Sequence, residues 1–142
     1  LERSGNFSKG SITGIYTVLV EGDDTNEPIS DTVRGIVDGH IVLTRKLANS
    51  NHYPAIDINA SISRLMDDIV EKEHRDGARK IRDILSVYYA NYDLISIGAY
   101  KKGTNPKLDE AISKIDKVNE FLTQNVNEKF TFEETLQLMS EI

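Results

Sequence analysis

The chain has 142 residues, enough for one ordinary domain or for parts of two. Its 39% hydrophobic and 28% charged residues are a globular balance, which excludes an intrinsically disordered chain. A formal net charge of -6 argues against a general nucleic-acid footprint, and the lack of cysteine excludes a disulfide scaffold and a thiolate metal site. No apolar run approaches the roughly 20 residues of a membrane-spanning helix, and no signal-peptide pattern opens the chain. A cytoplasmic protein is the expectation. The chain begins Leu1-Glu2-Arg3 without an initiator methionine, which reads as a fragment of something longer.

In chain order, residues 12–20 are rich in β-branched and aromatic side chains and read as a strand buried on both faces. An acidic loop follows, with Asp23, Asp24, Glu27 and then Asp31. Ser30 is placed to cap a short helix that buries Val33, Ile36 and Val37 and stops at Gly39. Residues 40–44 read as a second strand. Strand, helix and strand at this spacing predict part of an α/β sheet, and two strands need further partners to be stable.

After Arg64 the pattern turns helical. Leu65, Met66, Ile69 and Val70 share one face, a charged stretch from Glu71 to Lys80 contains Gly77, and the stripe resumes at Ile81, Leu85, Tyr88 and Tyr92. Asn105 then resembles an N-cap, with Pro106 at the first helical position and Leu108, Ala111, Ile112, Ile115, Val118 and Leu122 on the apolar face. A capping box, Thr131-Phe132-Glu133-Glu134, opens a last helix whose buried side is Leu136 and Met139. The fold class expected is therefore α/β followed by all-α, with residues 1–68 and 69–142 as the two domains.

Several of these segments resemble the flagellar export ATPase and its injectisome relatives. They are Leu1-Glu2-Arg3-Ser4-Gly5 with Gly10-Ser11-Ile12-Thr13, the run from Glu21 through Asn26-Glu27-Pro28 and Asp31-Thr32-Val33-Arg34-Gly35 to Asp38-Gly39-His40-Ile41-Val42-Leu43, and His52-Tyr53-Pro54-Ala55-Ile56-Asp57 ending in Ser61-Ile62-Ser63-Arg64. A weaker match is Ile97-Gly98-Ala99-Tyr100, then Gly103, Pro106, Leu108 and Asp109. The resemblance implies the C-terminal edge of a RecA-like P-loop NTPase domain, followed by a C-terminal helical bundle domain. It also implies a homo-hexameric ring with ATP sites between subunits, similar to the catalytic head of rotary ATP synthases. The chain contains no Gly-x-x-x-x-Gly-Lys-Ser/Thr phosphate loop, and the resemblance places the catalytic glutamate and the magnesium-positioning aspartate upstream of Leu1. ATP and Mg2+ are thus expected in the parent, while this chain alone is expected to be inactive.

Two residues carry the site expectation. Arg64 matches the family's arginine finger, acting in trans on a neighbour's γ-phosphate, where a guanidinium stabilises charge that builds in the transition state; the bland reading is an arginine that starts a helix beside a local acid. Tyr53 matches the aromatic residue that stacks on adenine, since a tyrosine before proline offers a flat apolar face to a base; the bland reading is a packing tyrosine between domains. Asp23, Asp24, Glu27 and Asp31 lack EF-hand spacing, and His40, His52 and His74 lack metal-ligand spacing, so no metal site is expected. Arg34 and Arg45 read as interface or sheet-end residues, and Lys101, Lys102 and Lys107 as a solvated turn.

The function implied by the resemblance is ATP-driven protein export at the cytoplasmic base of a flagellar secretion apparatus. Export apparatus proteins, chaperones and export substrates would be the partners, nucleic acid would not, and membrane attachment would run through other proteins. The alternatives are an injectisome ATPase, a rotary ATP synthase subunit and a stand-alone helical protein-binding module. Residues 27–35 and Ile97-Gly98-Ala99-Tyr100 look more like the export family than the synthase.

Overall fold

A computed structural model describes residues 3–20 and 28–142. The chain divides into two units, Leu1–His40 and Ile41–Ile142.

In the first unit, β1 (Gly5–Phe7) and β2 (Gly10–Ile12) form an antiparallel hairpin in which Gly5 faces Ile12 and Phe7 faces Gly10. Gly10 turns the chain at φ +134°, a conformation side chains rarely adopt. The expected strand over 12–20 is not formed beyond Ile12: residues 13–20 have no regular structure, and Ile15 and Leu19 are 95% and 94% exposed. An apolar run becomes a strand only where neighbours accept its ladder hydrogen bonds and cover its faces. Among the described residues of this unit, none does so. Helix α1 (Pro28–Ile36) starts at Pro28, two residues before the expected cap, because proline's fixed φ suits the first helical turn. Ser30 is buried inside it, Val33 and Val37 are half-buried, and Ile36 is exposed, contrary to the expected apolar face.

Strand β3 (Gly39–Leu43) forms as expected, and Thr44 caps α2 (Arg45–Asn49) by accepting from Leu47 N–H. The partner of β3 is β4 (Ile56–Ser63), a strand the hydrophobic pattern had not been read to contain. Ile58 of β4 packs against the helical core of the second unit, while Ile41 and Leu43 of β3 are exposed.

Helix α3 (Met66–Ile69) is a single turn; Leu65 and Ile69 are exposed and Met66 and Val70 half-buried, so the expected apolar face is covered only in part. The next helix, α4 (Lys72–Ala90), runs unbroken through the charged stretch that had looked like an interruption. Gly77 explains the gap in the stripe. A Cβ there would stand 2.9 Å from Met139 Cε and 3.2 Å from its Cγ and Sδ, so the glycine lets a later helix lie close. Tyr92 belongs to a separate short helix, α5 (Tyr92–Ser96).

Helix α6 (Pro106–Leu122) begins as expected, with Asn105 Oδ1 accepting from Lys107 and Leu108 N–H and proline at its start. Helix α7 (Phe132–Ser140) carries the capping box in full, Thr131 N–H to Glu134 at 2.7 Å and Glu134 N–H to Thr131 Oγ1 at 3.2 Å. Donation from the Thr131 backbone N–H, with the Thr131 hydroxyl beside it, holds the Glu134 carboxyl below its ordinary pKa. The core joins Ile81, Ile84 and Leu85 of α4, Ala111, Ile115 and Val118 of α6, and Met139 of α7. Among the described residues no helix is long and apolar enough to cross a membrane.

Candidate functional site

Both expected site residues flank β4 in the second unit, Tyr53 three residues before its first residue and Arg64 directly after its last. Tyr53 sits on the loop that leaves α2. Asn51 adopts φ +59°, a left-handed turn that asparagine tolerates, and the Tyr53–Pro54 peptide is cis. The Tyr53 carbonyl accepts from Gln124 N–H at 2.9 Å, just beyond α6. This tie fixes the backbone while the side chain stays 53% exposed.

Arg64 is exposed and precedes Leu65, the residue flanking α3. The backbone on either side is held by two arginines of α4. Arg82 Nη2 donates to the Ser61 carbonyl at 3.0 Å, and Arg75 Nη1 donates to the Asp67 carbonyl at 2.8 Å. Arg75 Nε also lies 4.0 Å from Asp67 Oδ1. On the strand side, the Ser61 hydroxyl donates to the Asp57 carbonyl at 2.6 Å and accepts from Val42 N–H at 2.9 Å. Four extended residues span about 13 Å. A bond from side chain 61 to carbonyl 57 therefore requires β4 to depart from full extension between them. Within the same stretch Ala60 N–H donates to Asp57 Oδ1 at 2.9 Å.

The spacing of Arg75 and Arg82, seven residues and two helical turns, places both on one face of α4. Sequence reasoning missed them, as it missed any role for Ser61. The signal was present in that spacing but lay within and just beyond the charged stretch taken as an interruption. Nearby, Lys46 Nζ lies 5.9 Å from the centre of the Tyr89 ring. Burial, with Tyr88 and Asp57 close by, pushes the Tyr89 phenol above its ordinary pKa, so it stays neutral at pH 7.

The remaining candidates are dispersed. Asp23, Asp24 and Glu27 lie outside the described residues, and Asp31 falls in the first turn of α1. Arg34 Nε donates to the Ser30 carbonyl at 3.4 Å within α1, and Arg45 opens α2. His74 packs edge-on to Phe132, with ring centres 5.6 Å apart. Among the described residues no group of three or more histidines and carboxylates is arranged to hold a metal ion. Lys101 and Lys102 ride on the turn between α5 and α6, where Gly103, at φ +92°, donates its N–H to Asp109 Oδ2 at 2.8 Å. Tyr100 Oη lies 2.9 Å from Asp109 Oδ1. The motif residues Tyr100, Gly103 and Asp109 thus build that turn.

Residues 1–63 match the nucleotide-binding domain of the ATP synthase alpha/beta family. Residues 70–141, half of the chain, match the T3SS EscN ATPase C-terminal domain, and the chain belongs to that family. It is 50% identical over its whole length to the flagellum-specific ATP synthase of Bacillus subtilis, of which it covers 32%. It is 49% identical over its whole length to the type 3 secretion system ATPase of Sinorhizobium fredii, again covering 32%. The assembled ATPase EscN from the enteropathogenic E. coli type III secretion system superimposes with a TM-score of 0.95 at 44% identity, over 99% of this chain and 34% of that one. The chain therefore spans about a third of the length of the curated relatives it matches.

Proposed function

We propose that this chain is the C-terminal part of a ring-forming ATPase that couples ATP hydrolysis to protein export through the flagellar type III apparatus. The observation that carries the reading is the succession, in one chain, of a nucleotide-binding ATPase match and an export-ATPase match, with Arg64 directly after the first. In this reading residues 1–68 are the C-terminal part of a RecA-like domain and residues 69–142 a helical domain. The helical domain serves export apparatus proteins, chaperones and export substrates at the cytoplasmic base of the apparatus.

Arg64 acts in trans in a homo-hexamer. Its planar guanidinium donates to oxygens of a neighbour's γ-phosphate and stabilises the charge spread over them as the bond to the leaving phosphate loosens. Arg64 stands exposed at the end of β4. Tyr53 stacks on adenine with its half-exposed ring. No residue of this chain is assigned to Mg2+, which in the parent neutralises phosphate charge.

Tyr53→Ala in the full-length parent tests the nucleotide reading. Stacking on a base contributes about 1–3 kcal/mol by alanine substitution, so KM for ATP should rise about 5–150-fold with kcat little changed, as for uniform binding. An unchanged KM with reduced turnover would return Tyr53 to interdomain packing. A parent with no ATPase activity at all would sink the whole reading.

A further inference from the structure

We infer that Arg75 and Arg82 of α4 are positioning residues for Arg64, a two-point clamp by which the helical part sets where that guanidinium stands. The inference rests on the arginine-finger reading above and deepens it. Arg82 binds the carbonyl three residues before Arg64, and Arg75 binds the carbonyl three residues after it. Both are charge-assisted hydrogen bonds to backbone, the stronger kind, and both come from a helix anchored in the core by Ile81, Ile84 and Leu85. The segment between the two bonds joins the end of β4 to the start of α3, where the Leu65 carbonyl accepts from Asp68 and Ile69 N–H. It leaves β4 after Ser63, passes through exposed Arg64 and Leu65, and enters a single-turn helix without a side-chain cap.

A finger contributes to catalysis only in the geometry of the transition state, and a displacement of about 1 Å costs on the order of 10²-fold in rate. The clamp supplies that geometry from the helical side. Neither arginine needs to touch nucleotide.

The test measures hydrogen exchange and steady-state kinetics in the full-length parent for Arg82→Gln, Arg82→Lys, Arg64→Ala and the pair Arg64→Ala/Arg82→Gln. In Arg82→Gln, amides 62–67 should exchange faster and kcat should fall on the order of 10²-fold, with KM for ATP unchanged. Arg82→Lys should restore most of the turnover, because a carbonyl accepts equally from an ammonium. The pair should be no slower than Arg64→Ala alone, since a positioning residue has nothing left to position. Normal kcat in Arg82→Gln beside an inactive Arg64→Ala overturns the clamp and leaves the finger standing. Normal kcat in Arg64→Ala overturns the finger, and the clamp's catalytic purpose with it. A multiplied loss in the pair also overturns the clamp, because Arg82 then acts elsewhere. If Arg82→Gln does not fold, Arg75→Gln at the more exposed end should show the same split between kcat and KM, and a normal kcat there overturns the clamp equally.

Discussion

Arg64→Ala in the full-length parent should lower kcat on the order of 10³-fold or more, as loss of an arginine finger does, while ATP binding and ring assembly persist. The physical reason is timing. Charge on the γ-phosphate oxygens grows as the transition state forms, so a guanidinium aimed there stabilises that state far more than bound ATP. Arg64→Lys should rescue poorly, because an ammonium is a point charge and does not reproduce the planar fork that spans two oxygens. The trans arrangement adds a second expectation. Mixing Arg64→Ala subunits with subunits crippled in the phosphate loop should recover some activity, at interfaces where the loop mutant donates its intact Arg64. Near-normal turnover in Arg64→Ala would return the residue to a local role at the strand end.

Ile115→Ala should destabilise the second unit by about 2–5 kcal/mol, the usual cost of removing a large aliphatic side chain from a packed core. Ile115 is buried in the cluster that joins α4, α6 and α7. Chemical unfolding should show a lower midpoint with an unchanged slope, and the amides of 106–122 should lose exchange protection. Because α4 carries the two arginines beside Arg64, the same substitution should also reduce turnover in the parent before it unfolds the ring. An unchanged midpoint would mean that the helical unit is held together by something other than this core.

The parts of the fold legible in the sequence are those encoded by local chemistry. Asn105-Pro106 and Thr131-Phe132-Glu133-Glu134 satisfy orphan N–H groups at helix starts, and both act as their residue types dictate. The full length of α4 was less legible, since Gly77 looks like a breaker until Met139 is seen against it. Strand β4 carries a plain alternation of Ile56, Ile58, Ala60 and Ile62 with Asp57, Asn59, Ser61 and Ser63, which a motif match ending at Arg64 passes over. Residues 12–20 mislead in the opposite direction, because strand-like composition does not supply strand partners. At the site, Arg64 and Tyr53 are visible only through the resemblance. Their supports are non-local, since Arg82 meets Ser61 across 21 residues and Gln124 meets Tyr53 across still more. No local pattern in a sequence announces such contacts.

The most direct measurement is the position of Arg64 in an assembled ring of the full-length parent trapped with a transition-state analogue of ATP. The guanidinium nitrogens should lie about 2.7–2.9 Å from analogue oxygens, the distance of a charge-assisted bond, in the site of the neighbouring subunit. An Arg64 paired to acids of its own subunit, with the neighbour's analogue out of reach, would contradict the assignment.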